Sequence, residues 1–465
     1  MLKATKVKID PEAPFLNDEL NRLESAEILM EFVLSMKEPT VICIDAPWGQ
    51  GKTTFLGMWE QHLRNNSIPT LQYNAWENDF SDDALISIIG EMSYQLDNLS
   101  FTGDIEKTLR LLNKAKKLSV SLLKKSLPVM AKVATAGVLD FDKITEQALS
   151  NFSESIAKEK LESYEKSKNT VSSFKNALHS LASSLTPQES SKPLVFIIDE
   201  LDRCRPNFSI EILEKIKHFF NVDNIVFVLA ADKVELGHSI KAIYGQGLDV
   251  NCYLRKFIDF DYQLPPPPEG QYAKSLFKKF NFHRSLNRRG RSSKVYLTPS
   301  EEVFNFLTNL FDIYRLTLRE QESCCALLSL AIRTTKEGDN LHPLFLCYLI
   351  VLKIKNPSIY QSFISESLLP IQLFEYYSSK KDEKIDHYSQ IIEAYLMASN
   401  SHKKEGNTEF YNVIDKLHEV ILNESEDREK RANAIVLISL IEEFIYDGGV
   451  WYVIKKIEIA SRFGS

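Results

Sequence analysis

Cysteine, glycine and proline are all scarce in this sequence, and each scarcity excludes a class of protein. The 465 residues include 6 cysteines with no Cys-x-x-Cys pair, which argues against a disulfide framework and against a zinc ribbon. With 16 glycines and 17 prolines, the chain is neither collagen-like nor of low complexity. Its 9 histidines form no His-Glu-x-x-His metal motif. The sequence therefore predicts a globular, cytoplasmic protein with reduced cysteines.

Long apolar runs and an excess of basic charge are also absent. The longest segments free of Asp, Glu, Lys and Arg are residues 176–188 and 340–352, whereas a membrane-spanning helix needs about 20 apolar residues. Residues 1–20 carry acids and prolines without an apolar stretch, so no signal peptide is expected. The 56 basic and 63 acidic residues give a net charge of −7. We therefore expect no membrane span, and any contact with nucleic acid must come from a local basic patch.

The hydrophobic pattern predicts an α/β core. Short apolar runs of the kind that form strands buried on both faces of a parallel sheet occur at residues 40–46, 70–74, 194–199 and 225–232. Amphipathic patterns between and around these runs predict helices at residues 24–36, 53–65, 83–96 and 210–221. Strands that alternate with helices in this way are typical of a mainly parallel sheet.

A helical insertion interrupts this core, and a helical region follows it. Residues 104–185 contain one glycine and one proline, which predicts two or more long helices broken near Pro128 and Gly137. After the prolines at 265–268 the pattern is almost wholly helical. The predicted domains are residues 18–103 and 191–268 for the two parts of a P-loop-type core, 104–190 for the insertion, and 269–465 for a helical C-terminal lid.

A phosphate-binding loop is indicated by residues 46–53, which read APWGQGKT and lie between a predicted strand and a predicted helix. Ala46 stands where the pattern has its first glycine. Two glycines let backbone N–H groups turn toward phosphates, and the start of the next helix adds its dipole. The predicted nucleotide-binding residues are Pro47, Trp48, Gly49, Gln50, Gly51, Lys52, Thr53 and Thr54.

The chemistry of the loop is carried by the two residues that open the predicted helix. Lys52 is placed to reach the β- and γ-phosphates, and the Thr53 hydroxyl is placed to bind Mg²⁺. An acidic partner for the metal follows the apolar run at 194–199. Asp199 is the predicted second metal ligand, and Glu200 is the predicted catalytic residue that polarises the attacking water. The alternative is that these two acids begin a turn and cap the next helix.

Several segments together resemble one family. Residues 198–206 (IDELDRCRP) resemble the extended acidic motif of the KAP family of P-loop NTPases, which includes phage-exclusion proteins. Residues 48–53 (WGQGKT), 73–77 (YNAWE) and 253–258 (YLRKFI) are similar to three further motifs of that family, in the same order. The family also has a helical insertion between its nucleotide motifs. The insertion here lacks the transmembrane helices that some members carry.

The resemblance implies an ATPase that uses ATP and Mg²⁺ as a nucleotide-driven switch, with a role in bacterial defence against phage alongside partner proteins or through self-association. Two other functions remain open. One is a scaffold that binds ATP without hydrolysing it, against which Glu200 argues. The other is an ATPase associated with nucleic acid, supported by residues 278–294, which hold seven Lys and Arg, no acid, and Phe280 and Phe282. A solvated loop is the favoured interpretation of that stretch.

Three further residues are candidates for the same site. Arg255 is a predicted catalytic residue that contacts the γ-phosphate, either in its own chain or across a subunit interface, and a surface ion pair with Asp259 or Asp261 is the alternative. Asp232 follows the last buried strand, where it would sense the γ-phosphate or initiate a turn. Trp76 would line the nucleotide crevice or belong to the core.

Overall fold

Contacts within the chain divide it into two units, Val7–Pro266 and Pro267–Ser465. The structure, a computed structural model, describes residues 7–98, 105–126, 146–185, 192–268, 270–288, 297–336, 339–381, 386–399 and 407–462.

The first unit alternates strands with helices, as the apolar runs predict. Its elements, in chain order, are α1 Leu23–Ser35, β1 Thr40–Asp45, α2 Lys52–Asn65, β2 Thr70–Asn74, α3 Ala84–Asn98, α4 Ile105–Ser126, α5 Glu146–Ser184, β3 Leu194–Asp199, the 3₁₀ turn Leu201–Arg203, α6 Pro206–Phe219, β4 Ile225–Ala231, α7 Lys233–Tyr244, α8 Val250–Leu254 and β5 Phe260–Gln263.

The five strands form one parallel sheet in the order β2-β3-β4-β1-β5. The register places Asp199 of β3 opposite Asn74 of β2 and Ala230 of β4, and Asp45 of β1 opposite Ala231. Because all strands run in one direction, their carboxyl ends meet at a single edge, which is where ligands of parallel sheets bind. The predicted α/β fold with a parallel sheet is confirmed.

Both faces of the sheet are covered, so the alternating side chains of each strand are buried in two separate cores. In β1, Ile42 and Ile44 pack with α1 and α2, whereas Val41 and Cys43 pack on the opposite face, the face that α3 and α6 cover. All residues of β3 and β4 are buried. Burial on both sides explains why these strands are continuous apolar runs in the sequence.

Two elements differ from the sequence prediction. The fifth strand was not predicted, because Phe260–Gln263 lies at the sheet edge with mostly exposed side chains and therefore lacks an apolar run. Helix α6 begins at Pro206, four residues before the predicted start at 210. Proline suits the first turn of a helix, since its missing N–H has no partner there.

The insertion consists of α4 and α5, which pack against each other, and α4 also packs on α3. The hydroxyl groups of Thr108 and Ser184 lie 2.9 Å apart between the two helices, and Phe174 of α5 meets Phe220 edge-to-face at 5.8 Å. The predicted breaks near Pro128 and Gly137 lie outside the described residues. Among the helices that are described, none has the length and apolarity needed to cross a membrane.

The second unit is helical, as predicted for the C-terminal region. Its helices are α9 Gln271–Lys279, α10 Phe282–Asn287, α11 Pro299–Ile313, α12 Leu318–Thr334, α13 Pro343–Lys355, α14 Pro357–Ile364, α15 Pro370–Ser378, α16 His387–Ala398, α17 Asn407–Leu422, α18 Arg428–Tyr446 and α19 Gly449–Ser461. Helix α13 is buried from Leu344 to Leu352 and forms the centre of this unit's core.

Candidate nucleotide-binding site

The loop from Ala46 to Gly51 connects the carboxyl end of β1 to α2. Gly49 and Gly51 both have φ of 79°, in the left-handed region that a residue with a Cβ rarely adopts. Gly51 is the N-cap of α2 and makes no side-chain cap, so the first N–H groups of the helix face outward without an intrahelical partner. This arrangement supplies the backbone donors and the helix dipole that a phosphate needs.

Lys52, the first residue of α2, folds back over this loop. Its ammonium group donates to the carbonyl of Ala46 and lies 3.9 Å from Asp202 Oδ2. The side chain is only 10% exposed. The predicted phosphate-binding lysine is therefore already directed into the loop, and the groups around it are a carbonyl and a carboxylate.

Asp199 ends β3 at the same edge and is 1% exposed. Its Oδ1 accepts the Glu200 backbone N–H at 2.8 Å, and its Oδ2 is buried without a hydrogen-bond partner. Burial raises the pKa of this carboxyl to about 6, although the Thr53 hydroxyl lowers it in part. An unpartnered buried carboxylate oxygen close to an exposed threonine fits the ligands that Mg²⁺ prefers.

A metal ion at this site would need phosphate or water ligands in addition to protein oxygens. Within the described ranges, no group of three or more His, Cys, Asp and Glu side chains could hold a metal ion. This agrees with the usual behaviour of Mg²⁺, which takes one or two protein oxygens and completes its shell with phosphates and water. Thr53 and Asp199 fit that pattern.

Glu200 follows Asp199 in a left-handed conformation, with φ of 60°. Its Oε2 accepts from Asn74 Nδ2 at 3.1 Å, and its Oε1 pairs with Arg203 at 2.7 Å. Asn74 reaches it because β2 and β3 are neighbours in register. The alternative holds in part. Glu200 begins the 3₁₀ turn, since its carbonyl accepts the Arg203 N–H at 3.1 Å, but its side chain does not cap that turn, and Arg205 is the residue that precedes α6.

Asp202, for which the sequence predicted no role, lies beneath the phosphate-binding loop. It is 6% exposed, and its Oδ2 accepts from the indole N–H of Trp48 and, at 2.8 Å, from the backbone N–H of Asp232. Asp232 in turn accepts the Trp48 backbone N–H at 3.2 Å. The spacing of three acids in the motif could have indicated this residue, but the sequence alone does not distinguish it from Glu200.

Asp232 and Trp76, the two candidates that follow buried strands, both lie near the phosphate-binding loop or Glu200. Asp232 is the N-cap of α7 and accepts from the backbone N–H groups of Val234 and Glu235, so it initiates a helix and also contacts the loop. Trp76 is 54% exposed and therefore not part of the core. Its ring lies 5.8 Å from the guanidinium carbon of Arg203, beside Glu200.

Arg255 is not brought together with Lys52 and Glu200. It is exposed at the end of α8, and the segment that follows reaches the beginning of β1, where the Asp259 backbone N–H donates to Val41. The phosphate-binding loop lies at the opposite edge of the sheet. The predicted ion pairs are not formed either: among the described residues, Asp261 pairs with Lys233, and Asp259 accepts the Val41 N–H.

Part of the basic stretch at residues 278–294 belongs to helices α9 and α10 of the second unit. Phe280 and Phe282 are buried in its core, at 7% and 0% exposure, and so cannot stack on bases. Lys279 pairs with Glu322 at 2.6 Å. Residues 289–294, which hold three of the seven basic side chains, lie outside the described residues.

A glycine-containing loop between β1 and α2, with an acidic motif at the end of β3 on the same edge of a parallel sheet, defines a P-loop NTPase. The chain belongs to the KAP family: the model of the family, described as "KAP family P-loop domain", matches residues 22–334. The predicted resemblance is thereby confirmed. No curated protein gives a significant match.

Matches among solved structures include two proteins with nucleotide analogues. The ORC2 protein of Aeropyrum pernix, described as ADPNP-ADP complexes, is 13% identical over 92% of this chain and 95% of that chain, with a TM-score of 0.32. AMPPCP-bound DnaA from Aquifex aeolicus is 12% identical over 94% of this chain and 99% of that chain, with a TM-score of 0.27.

Proposed function

We propose that this protein is a Mg²⁺-dependent ATPase of the KAP class that acts as a nucleotide-driven switch in bacterial antiphage defence. The observation that carries the proposal is the placement of Lys52, Asp199 and Glu200 at one edge of the sheet, beside a loop with left-handed Gly49 and Gly51. Each of these groups has a part in binding or hydrolysing a nucleoside triphosphate.

Binding is assigned to the loop and to the first turn of α2. The backbone N–H groups of residues 47–54 would surround the phosphates, and Lys52 would move from the Ala46 carbonyl to a phosphate oxygen. Thr53 and Asp199 would hold Mg²⁺, which neutralises charge on the phosphates when bound. Asp199 has the buried free oxygen that this role requires.

Hydrolysis is assigned to Glu200. To polarise a water molecule, one of its carboxylate oxygens must accept a hydrogen bond from that water. Both oxygens are engaged in the structure, one by Asn74 and one by Arg203. Each oxygen keeps a second lone pair that a water molecule can use, and the two protein contacts set the orientation of the carboxylate, which makes Glu200 a point at which activity can be controlled.

We propose that a conformational change at Glu200 is transmitted through β2 to the helical insertion. Asn74 is the last residue of β2, and the loop that follows leads to α3, on which α4 packs, and α5 packs on α4. Arg205 also binds this loop: its backbone N–H and its Nε–H donate to the Asp79 carboxylate at 2.8 and 2.9 Å. A change at Glu200 would then reach the helical insertion. The defence role is supported by the family resemblance.

A second function, an ATP-gated scaffold without turnover, is favoured by one observation. The Arg203 guanidinium and the Asn74 amide together occupy both oxygens of Glu200. If these contacts persist with nucleotide bound, the orientation of the carboxylate is set by Asn74 and Arg203 and not by an attacking water. The protein would then bind ATP and hold one conformation.

Turnover of ATP by the wild type and by Glu200→Gln distinguishes the two functions. An ATPase is expected to release phosphate in the presence of Mg²⁺, with a loss of ~10²-fold or more in kcat for the variant and unchanged ATP affinity. Glu211→Gln, which breaks an ion pair on α6 away from the site, serves as the matched control. Equal rates for wild type and Glu200→Gln would refute the assignment of Glu200.

A further inference from the structure

Asp202 and Trp48 form a contact that the proposed catalytic roles do not use. Asp202 is the third acid of its motif, and Trp48 directly precedes Gly49 in the phosphate-binding loop. The indole N–H of Trp48 donates to Asp202 Oδ2, although the tryptophan residue as a whole is 43% exposed. A bond from a surface tryptophan to a buried carboxylate fixes the orientation of the side chain.

The same loop residue is also held through its backbone. The Trp48 N–H donates to Asp232 Oδ2 at 3.2 Å, and the Asp232 N–H donates to Asp202 Oδ2 at 2.8 Å. These three bonds close a ring between the loop, the end of β4 and the turn after β3. Because Gly49 and Gly51 leave the loop backbone with many accessible conformations, such a ring reduces the entropy that nucleotide binding must overcome.

The position of Asp202 argues against a role as the catalytic base. Its Oδ2 already accepts from an indole and a backbone amide, and the Lys52 ammonium lies 3.9 Å away. These donors use both lone pairs of that oxygen, so Oδ2 has no site left for a water molecule. Asp202 is also only 6% exposed. Its charge acts on the loop and on Lys52 instead.

We infer that Asp202 is a positioning residue that, through the Trp48 indole, keeps the phosphate-binding loop in the nucleotide-binding conformation before nucleotide arrives. The inference rests on the proposed nucleotide-binding function and adds to it a residue that determines affinity. Loss of the contact weakens nucleotide binding, because the free loop then samples conformations that do not bind. The chemical step is unaffected once nucleotide is bound.

A double-mutant cycle on the full chain tests the inference, with Mg·ADP as the probe in calorimetric titrations. We expect Trp48→Phe, which removes only the indole N–H, to raise the Kd about tenfold, the usual effect of losing a hydrogen bond to a charged group. Asp202→Ala is expected to raise it by a similar or larger factor. The double variant should bind no more weakly than Asp202→Ala alone, because both changes remove one interaction.

Two variants keep the test independent of folding. Trp59→Phe removes the indole N–H that donates to the Ala26 carbonyl at 3.0 Å in the core, so it should leave the Kd unchanged even if stability falls. Asp202→Asn keeps an acceptor of the same shape and should bind Mg·ADP more tightly than Asp202→Ala. In steady-state ATP hydrolysis, Trp48→Phe and Asp202→Asn should raise KM while kcat changes less than twofold.

The possible failures are distinguishable. If the wild type binds Mg·ADP but the effects of Trp48→Phe and Asp202→Ala multiply in the double variant, the inference is wrong and the proposed function stands. A fall in kcat with unchanged Kd would also overturn it, since that result would make Asp202 a participant in the chemistry. If the wild type binds no nucleotide at all, both the proposed function and the inference fail.

Discussion

At the residue scale, Asp199 indicates most directly what the site binds. It is 1% exposed, one of its oxygens has no partner, and burial raises its pKa to about 6. A buried ionised carboxylate without a cation destabilises the fold that contains it. In the proposed function, Mg²⁺ would offset this cost when nucleotide is present. Such conflicts between stability and function are typical of binding sites.

We expect Asp199→Asn to stabilise the nucleotide-free protein at neutral pH while removing the dependence of ATP affinity on Mg²⁺. The pKa is raised from 3.8 to about 6, which corresponds to at most about 3 kcal/mol of unfolding free energy recovered when the charge is removed. Urea unfolding with and without Mg·ATP measures both effects. The control is Asp223→Asn, an exposed residue outside the site. A less stable Asp199→Asn would contradict the account of its burial.

Arg255 is expected to act only between chains. Because it lies away from the phosphate-binding loop of its own chain and has no ion pair among the described residues, Arg255→Ala should lower kcat more than ATP affinity. ATP should also promote self-association. Mixing Arg255→Ala with Lys52→Ala should restore part of the activity, since each chain supplies what the other lacks. A protein that hydrolyses ATP as a strict monomer would exclude this role.

The sequence alone predicts some residues of the site and not others. Lys52, Thr53, Asp199 and Glu200 follow from the types of residue and their positions after buried strands. The role of Asp202 cannot be predicted in this way, because its partners are an indole 154 positions away and a backbone N–H 30 positions away in the sequence. Contacts of that range depend on which strands are neighbours, and a single sequence does not give the order of the sheet.

At the element scale, burial decides what can be predicted. Strands β2 and β3 begin and end where the apolar runs do, because their side chains are largely buried: every residue of β3 is buried, and β2, although it is the other edge strand, has three buried residues of five. The edge strand β5 has three exposed residues of four, and its sequence FDYQ contains no apolar run and alternates over only four residues. Its pairing with β1 is made by the backbone and therefore requires no buried side chains.

Helix α12 offers a test of local stabilisation. Thr317 Oγ accepts the Glu320 N–H at 3.3 Å, and the Glu320 carboxylate accepts the Thr317 N–H at 2.7 Å, which forms a capping box. Thr317→Ala is expected to lower the stability of the second unit by about 1 kcal/mol. Trp451 is the single tryptophan of that unit, so its fluorescence during denaturation reports the change. Thr317→Ser should recover most of the loss, and an unchanged midpoint for Thr317→Ala would contradict the prediction.

At the scale of the whole molecule, a buried histidine makes the stability of the second unit depend on pH. His342 is 3% exposed and packs edge-on against Phe444 at 5.1 Å. Burial lowers the pKa of its imidazole to about 4, and Asp447, 3.5 Å away, offsets only part of this effect. The folded state therefore favours the neutral ring.

We expect the second unit to lose stability between about pH 6.5 and pH 4. In that range the unfolded chain binds a proton that folded His342 does not, because the pKa falls from 6.5 to about 4 on folding. The loss should reach roughly 2 kcal/mol at pH 5 relative to pH 7. Denaturation followed by Trp451 fluorescence measures it. His342→Asn, which tolerates the observed φ of 45°, should weaken this pH dependence, and a persisting slope would assign it to other groups.

The measurement that tests the central claim most directly is the affinity of the full chain for Mg·ATP, compared between wild type and Lys52→Ala. Among the described residues, the polar contacts of the Lys52 ammonium are with the Ala46 carbonyl and the Asp202 carboxylate, both in the candidate site, so we expect Lys52→Ala to remain folded, which its unfolding transition checks. Lys215→Ala, which breaks an ion pair on α6, is the matched control. We predict binding by the wild type and the control and none by Lys52→Ala. Equal affinity in all three proteins would contradict the assignment of the phosphate-binding loop.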